Sequence, residues 1–120
     1  MNSKKTSVYE ALNLFFYYYL KKRDIEKTLS MVTDDIYSLG TGNGEIALNK
    51  IQFRDLITSE INTLPISIDY RILNYREKER AKNLWDCICN VEVIVNIEDD
   101  KHVIYFTRLT GSFENKEVYL

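Results

Sequence analysis

Apolar residues recur at helical spacing through the first part of the chain and at alternate positions through the last. Ser7 and Glu10 form a capping box. From it Val8, Leu12, Phe15 and Tyr19 fall on one face of a first helix, flanked by Ala11, Phe16 and Tyr18. Tyr17 points away from that stripe, either to solvent or to a partner. Asp24 caps a short second helix that runs to about Ser30. Met31 to Leu39, with Ile36, Tyr37 and Leu39 among polar residues, reads as a short strand. Asn49 opens a third helix with Gln52 at the capping-box position, and Phe53, Leu56, Ile57, Ile61 and Leu64 form its stripe. Pro65 ends it, because proline disfavours helix at the residue before it.

The rest is a meander of strands. Ile66, Ile68, Tyr70 and Ile72 alternate with polar residues, and the phase slips at Leu73 and Tyr75, which predicts a bulge or a twist. Trp85, Cys87, Cys89, Val91, Val93, Val95 and Ile97 share one phase of the next strand. Asp86, Asn90, Glu92 and Asn96 share the other with Ile88 and Ile94. Glu98 to Lys101 is a hairpin turn, and His102 to Phe113 is the return strand. Val103, Tyr105 and Leu109 make one of its phases apolar, Ile104 and Phe106 the other. A strand apolar on both phases predicts cover on both faces. Val118, Tyr119 and Leu120 read as the start of a further strand.

Length and composition fit one soluble domain. The chain has 120 residues, 45% apolar and 28% charged, with net charge −2. That balance lacks the basic footprint of a nucleic-acid reader, and Lys21, Lys22 and Arg23 read as a solvated helix end. Leu14 to Leu20 is too short to span a bilayer. Cys87 and Cys89, two apart on a strand, share a face and cannot close a relaxed disulfide. They fit a reduced, cytoplasmic setting. With a lone histidine, His102, and no Cys-x-x-Cys, no metal site is expected, and no cofactor is implied.

Gly40, Gly42 and Gly44 are three of the chain's four glycines. Their spacing fits neither the dinucleotide fingerprint nor the P-loop. They read as a tight reversal between short strands, Tyr37 to Leu39 and Glu45 to Leu48, where glycine supplies positive φ.

The order of elements resembles the nuclear transport factor 2-like superfamily, and within it the SnoaL-like bacterial branch. The residues that carry the resemblance are Phe16 to Leu20, Arg23-Asp24, Asp34-Asp35-Ile36, Gly40 to Glu45 and Arg108-Leu109-Thr110. It implies an α+β fold in which a cone-shaped, curved antiparallel sheet wraps three N-terminal helices around a pocket. Asn49 stands where relatives often have glycine, and asparagine tolerates the left-handed region and caps helices. Relatives finish with a strand carrying a tryptophan and a late histidine. Here that strand is cut at Leu120, so residues 1–120 are expected to form one SnoaL-like domain with its last strand short.

Such proteins include isomerases, dehydratases and polyketide cyclases, along with non-enzymes that bind ligands or assemble proteins. The enzymes use a pocket Asp, His or Tyr. Glu60, beside the stripe of the third helix, is the best carboxylate candidate, with an exposed edge position as the alternative. Asp69 and Glu92 fall on polar phases, and His102 adjoins a turn. Tyr18, Tyr19, Tyr37, Trp85 and Tyr105 supply either the walls of a pocket for a small apolar ligand or simply core. Arg108 is either an anion partner or a cross-strand ion pair. The expected function is a non-catalytic small-molecule-binding or dimerisation domain, including the input domain of a signalling protein. An acid–base enzyme is the alternative. The doubly apolar return strand predicts a homodimer through the outer sheet face, with no nucleic acid or membrane as partner.

Overall fold

The structure, a computed structural model, describes residues 8–39, 46–98 and 101–114. The glycine stretch, Ser7 and the last residues from 115 onward lie outside them. In chain order the elements are α1 (Val8–Phe16), a π-helical turn (Tyr17–Lys21), α2 (Ile25–Ser30), β1 (Ser38–Leu39), β2 (Ile46–Ala47), α3 (Lys50–Thr63), β3 (Asp69–Ala81), β4 (Leu84–Glu98) and β5 (Lys101–Glu114). No described helix is long and apolar enough to cross a membrane. The architecture is α+β, three helices followed by a three-stranded antiparallel sheet ordered β3-β4-β5.

The chain divides into two compact units. One comprises the residues up to Leu14 together with Ile68 onward. Its sheet is built as the alternation requires. Cys87, Cys89, Val91, Val93 and Val95 of β4 are all buried, and Val8 and Leu12 of α1 are buried too. The Tyr9 ring meets Tyr75 edge-on at 5.1 Å. The Tyr70 hydroxyl donates to the Asn13 carbonyl at 2.9 Å. β4 and β5 pair from Leu84↔Glu114 to Glu98↔Lys101, so the hairpin falls where the sequence puts it, with residues 99 and 100 outside the described set.

The phase slip at Leu73 is a β-bulge. Leu73 pairs with Asn90 and Arg76 with Ile88, so Asn74 and Tyr75 together face one residue of β4. Asn74 has φ 55° and its side-chain amide donates to Asn90 Oδ1 at 3.0 Å. Asparagine is among the few side chains that enter this region readily. Past the bulge, β3 continues to Ala81 in the opposite phase.

The second unit spans Phe15–Ser67. Leu29, Ala47, Phe53 and Ile57 form its buried centre, with Phe15, Tyr19, Ile25, Val32, Ile36 and Leu56 packed against them. Both helix caps anticipated within this unit are made. Asp24 Oδ1 accepts from Lys27 N–H at 3.0 Å, and Asn49 Oδ1 accepts from Gln52 N–H at 2.9 Å. Gln52 Oε1 in turn accepts from Leu48 N–H at 2.8 Å, a one-residue variant of the capping box.

Two expectations need correction. The buried line of the first helix runs Val8, Leu12, Phe16, Leu20, while Phe15 and Tyr19 are half-buried beside it. The π-helical turn adds a residue to the backbone loop and so re-aims the positions that follow. The strand expected over Met31 to Leu39 is only Ser38–Leu39, paired with Ile46–Ala47. Asp34 and Asp35 form a turn instead, with the Asp34 carbonyl accepting from Lys50 N–H at 3.2 Å.

Candidate functional site

The candidate residues divide between the two units. In the Phe15–Ser67 unit, three consecutive tyrosines of the π-helical turn each carry a cation over the ring. Lys22 Nζ lies 5.6 Å from Tyr17, Lys27 Nζ 5.5 Å from Tyr18, and the Arg23 guanidinium 5.7 Å from Tyr19. Tyr18 and Tyr19 are half-buried, whereas Tyr37 is 80% exposed and the least enclosed of the aromatic candidates described.

Glu60 is half-buried on α3, and burial holds its carboxyl above the usual carboxylate range. Arg23 is close, but it serves the backbone. Its Nη2 donates to the carbonyls of Glu60 (3.3 Å) and Leu64 (2.9 Å), and its Nη1 to that of Tyr19 (3.2 Å). The Leu64 carbonyl lies past the end of α3, where no intrahelical donor reaches it, while the Glu60 carbonyl also accepts from Leu64 N–H at 3.1 Å. Arg23 itself has φ 52°, so a strained backbone position aims this clamp.

In the sheet-bearing unit, Trp85 is half-buried on the phase of Cys87 and Cys89. Tyr105 pairs in register with Val93, and its side chain lies outside the described set. The same holds for the side chains of His102 and Phe106. Both cysteines are free and buried. Burial, with Cys89 alongside, pushes the Cys87 thiol up to about 11, and burial raises Cys89 as well. These are inert apolar fillers rather than nucleophiles.

The other phase is the outer face. There Ile94 pairs with Ile104, Asn90 with Arg108 and Ile88 with Thr110. Ile88 and Ile104 are 44% and 48% exposed, and Arg108 is exposed too. Arg71 Nε lies 3.6 Å from Glu92 and Arg80 Nε 3.6 Å from Asp86, so both signs of charge surround the apolar positions. Among the described residues, no three His, Cys, Asp or Glu side chains converge to hold a metal ion.

Sequence reasoning passed over Glu77 and Glu79. The bulge puts both on the inner phase, in register with Cys87 and Trp85. The Tyr75 hydroxyl donates to Glu77 Oε1 at 2.9 Å. Burial, then that hydrogen bond, raises the Tyr75 hydroxyl well above the ordinary tyrosine range. The signal was available in the slip at Leu73. Counting alternation onward from it turns the odd positions inward.

No family model matches the sequence, and no curated protein matches it. Three solved structures share its fold. One, from Xanthomonas campestris, is described as a calcium/calmodulin dependent protein kinase II association domain. It has TM-score 0.70 and 13% identity, covering 97% of this chain and 87% of that one. A ketosteroid isomerase-like protein from Erwinia carotovora atroseptica has TM-score 0.65 and 17% identity, covering 94% and 83%. The beta subunit of benzoate 1,2-dioxygenase from Burkholderia mallei has TM-score 0.63 and 13% identity, covering 88% and 78%. All three are nuclear transport factor 2-like folds, and that is the fold of this chain.

Proposed function

We propose that this chain is a non-catalytic association domain that pairs with a second copy of itself through the outer face of the β3-β4-β5 sheet. The observation that carries the reading is the exposure of Ile88 and Ile104 on that face, at 44% and 48%. Ile104 lies opposite Ile94 on that face, with Ile88 farther along β4 toward the β3–β4 turn, and exposed apolar side chains there gain from a partner that covers them. The charges around them argue for a second copy as that partner. Arg71, Glu92, Arg80 and Asp86 present both signs on one face, so a two-fold pairing can set opposite charges against each other. The Xanthomonas structure's description as an association domain agrees with this reading. In the SnoaL-like manner that the sequence motifs imply, the domain would serve as an input or assembly module of a signalling protein. Its buried free thiols fit a cytoplasmic setting.

Sedimentation velocity tests the pairing. The wild-type protein should sediment as a dimer, and Ile104→Lys and Ile88→Lys should each give a folded monomer. A wild-type monomer at high micromolar concentration would refute the proposal.

A second reading rests on Glu60. A half-buried carboxyl with a raised pKa has the tuning that acid–base catalysis needs. The Erwinia structure is described as ketosteroid isomerase-like. An NMR titration decides whether this reading survives. An ordinary carboxylate value for Glu60 would remove the acid–base reading and leave association alone.

A further inference from the structure

Four large apolar side chains of the Phe15–Ser67 unit stand in solvent. Tyr37 is 80% exposed, Ile51 74%, Leu48 66% and Ile46 51%, more than any other large apolar side chain among the described residues. The fold sets them together. β1 pairs with β2 through Ser38↔Ala47 and Leu39↔Ile46, so Tyr37 and Leu48 come next in that register. Ala47, between Ile46 and Leu48, is wholly buried in the unit's core, and alternation turns its two neighbours outward. Leu48 is tied to the start of α3, where its N–H donates to Gln52 Oε1 at 2.8 Å. Ile51 stands in that same first turn, off the buried stripe of Phe53, Ile57 and Ile61. A ribbon with one buried face ordinarily carries polar residues on the other, and this one carries isoleucine and leucine.

The charges around the patch have a prevailing sign. Asp34 and Asp35 form the turn that precedes Tyr37, held against the start of α3 through the Asp34 carbonyl and Lys50 N–H. Asp55 lies one helical turn beyond Ile51 and is exposed. The two cations here are already engaged. Lys50 Nζ lies 3.7 Å from Asp34 Oδ1, and Arg54 Nη2 donates to Glu26 Oε1 at 3.1 Å. Glu26, Asp34, Asp35 and Asp55 thus outnumber Lys50 and Arg54, and that balance favours a basic partner over an acidic one.

Area sets the kind of partner. Side chains exposed to this degree offer on the order of 400 Å² of apolar surface, enough to mark an interaction site and about half of what each side of a stable protein pair buries. The patch is therefore small for a second copy of the chain and suited to a single element. Its anchors are side chains on a face rather than a sheet edge, so the partner must present a face of side chains too, as an amphipathic helix does.

We propose that Tyr37, Ile46, Leu48 and Ile51 dock a basic amphipathic helix of another protein, its apolar stripe on these four residues and its lysines or arginines toward Asp35 and Asp55. The association surface lies on the sheet of the other unit and is read by sedimentation, so the two proposals fail independently.

The test titrates the full chain into a fluorescein-labelled helical peptide of leucine and lysine and follows anisotropy. Two control peptides keep its pattern, one with glutamate for every lysine and one with serine for every leucine. The leucine–lysine peptide should bind saturably and at least about tenfold more tightly than either control. Leu48→Ser and Ile51→Ser, with their folds checked by circular dichroism, should each weaken it at least about fivefold. Asp35→Asn combined with Asp55→Asn should narrow its advantage over the glutamate peptide. No saturable binding, equal binding of either control, or undiminished affinity in both folded serine variants would each overturn the proposal. A wild-type oligomer that Ile51→Ser dissociates would place a second copy on the patch and overturn it as well. So would binding to phosphatidylcholine vesicles that Ile51→Ser abolishes, which would place a membrane there. Should both serine variants fail to fold, the wild-type preference over the two control peptides decides alone.

Discussion

The two faces of β4 come from one stretch of sequence and meet opposite fates. On the odd-numbered face Cys87, Cys89, Val91, Val93 and Val95 are each at most 7% exposed. On the even-numbered face Ile88 is 44% exposed, and Asp86 and Glu92 sit in ion pairs with Arg80 and Arg71. A single strand thus carries a face whose burial stabilises the fold and a face whose apolar residues gain only if something else covers them. Substitutions on the two should differ in kind: one set should unfold the protein, the other should change what it associates with.

The largest effect should come from placing charge on the buried face. Val91 is 1% exposed, and Val91→Asp strands a carboxylate there at a cost of about 4 kcal/mol or more. Most of a domain's stability lies in that range. Thermal melts by circular dichroism should show a largely unfolded chain. A cooperative melt near that of the wild type would mean the faces are assigned the wrong way round.

Next comes the bulge that decides which β3 residues join which face. Asn74→Val forces a β-branched residue into φ 55° and should cost about 1–2 kcal/mol, whereas Asn74→Gly should stay within a few tenths. Chemical denaturation of the two variants reads the difference directly. Equal stabilities would mean the left-handed position carries no strain.

A pH titration sharpens the comparison further. Cys87 keeps its proton in the folded state up to about 11, while an unfolded thiol loses it near 9.0. Between those values the native state binds more protons than the unfolded one, so stability falls as pH rises. Melting temperature should decline through that window, and Cys87→Ala should flatten the decline. In the native protein at neutral pH, thiol labelling should be slow and should accelerate on unfolding.

The smallest effect on stability is expected on the outer face. Ile104→Lys should change the unfolding free energy of the monomer by no more than about 0.5 kcal/mol while abolishing the dimer. If it unfolds the chain instead, Ile104 is a core residue and the outer face needs no partner.

Much of this could be read in advance because its causes are local. Asp24 and Asn49 cap helices through side-chain oxygens that reach the third residue on, and that needs no tertiary partner. Strict alternation from Trp85 to Val95 fixes one buried face for β4, since a one-residue slip would expose all of it. The break at Leu73 announced the bulge. The chain alone could not say which apolar residues of the first helix would be buried. The π-helical turn at Tyr17–Lys21 carries the buried Leu20, which the expected stripe did not include. Nor did periodicity show that Arg23 would reach the carbonyls of Glu60 and Leu64, positions far along the chain. The inward phase of Glu77 follows from the slip at Leu73, but only folding brings Tyr9 of α1 against the Tyr75 ring whose hydroxyl donates to Glu77. Local propensity and periodicity settled the caps of α2 and α3 and the two faces of β4. Which residues meet across elements was decided by packing, because those contacts join segments that the sequence keeps apart.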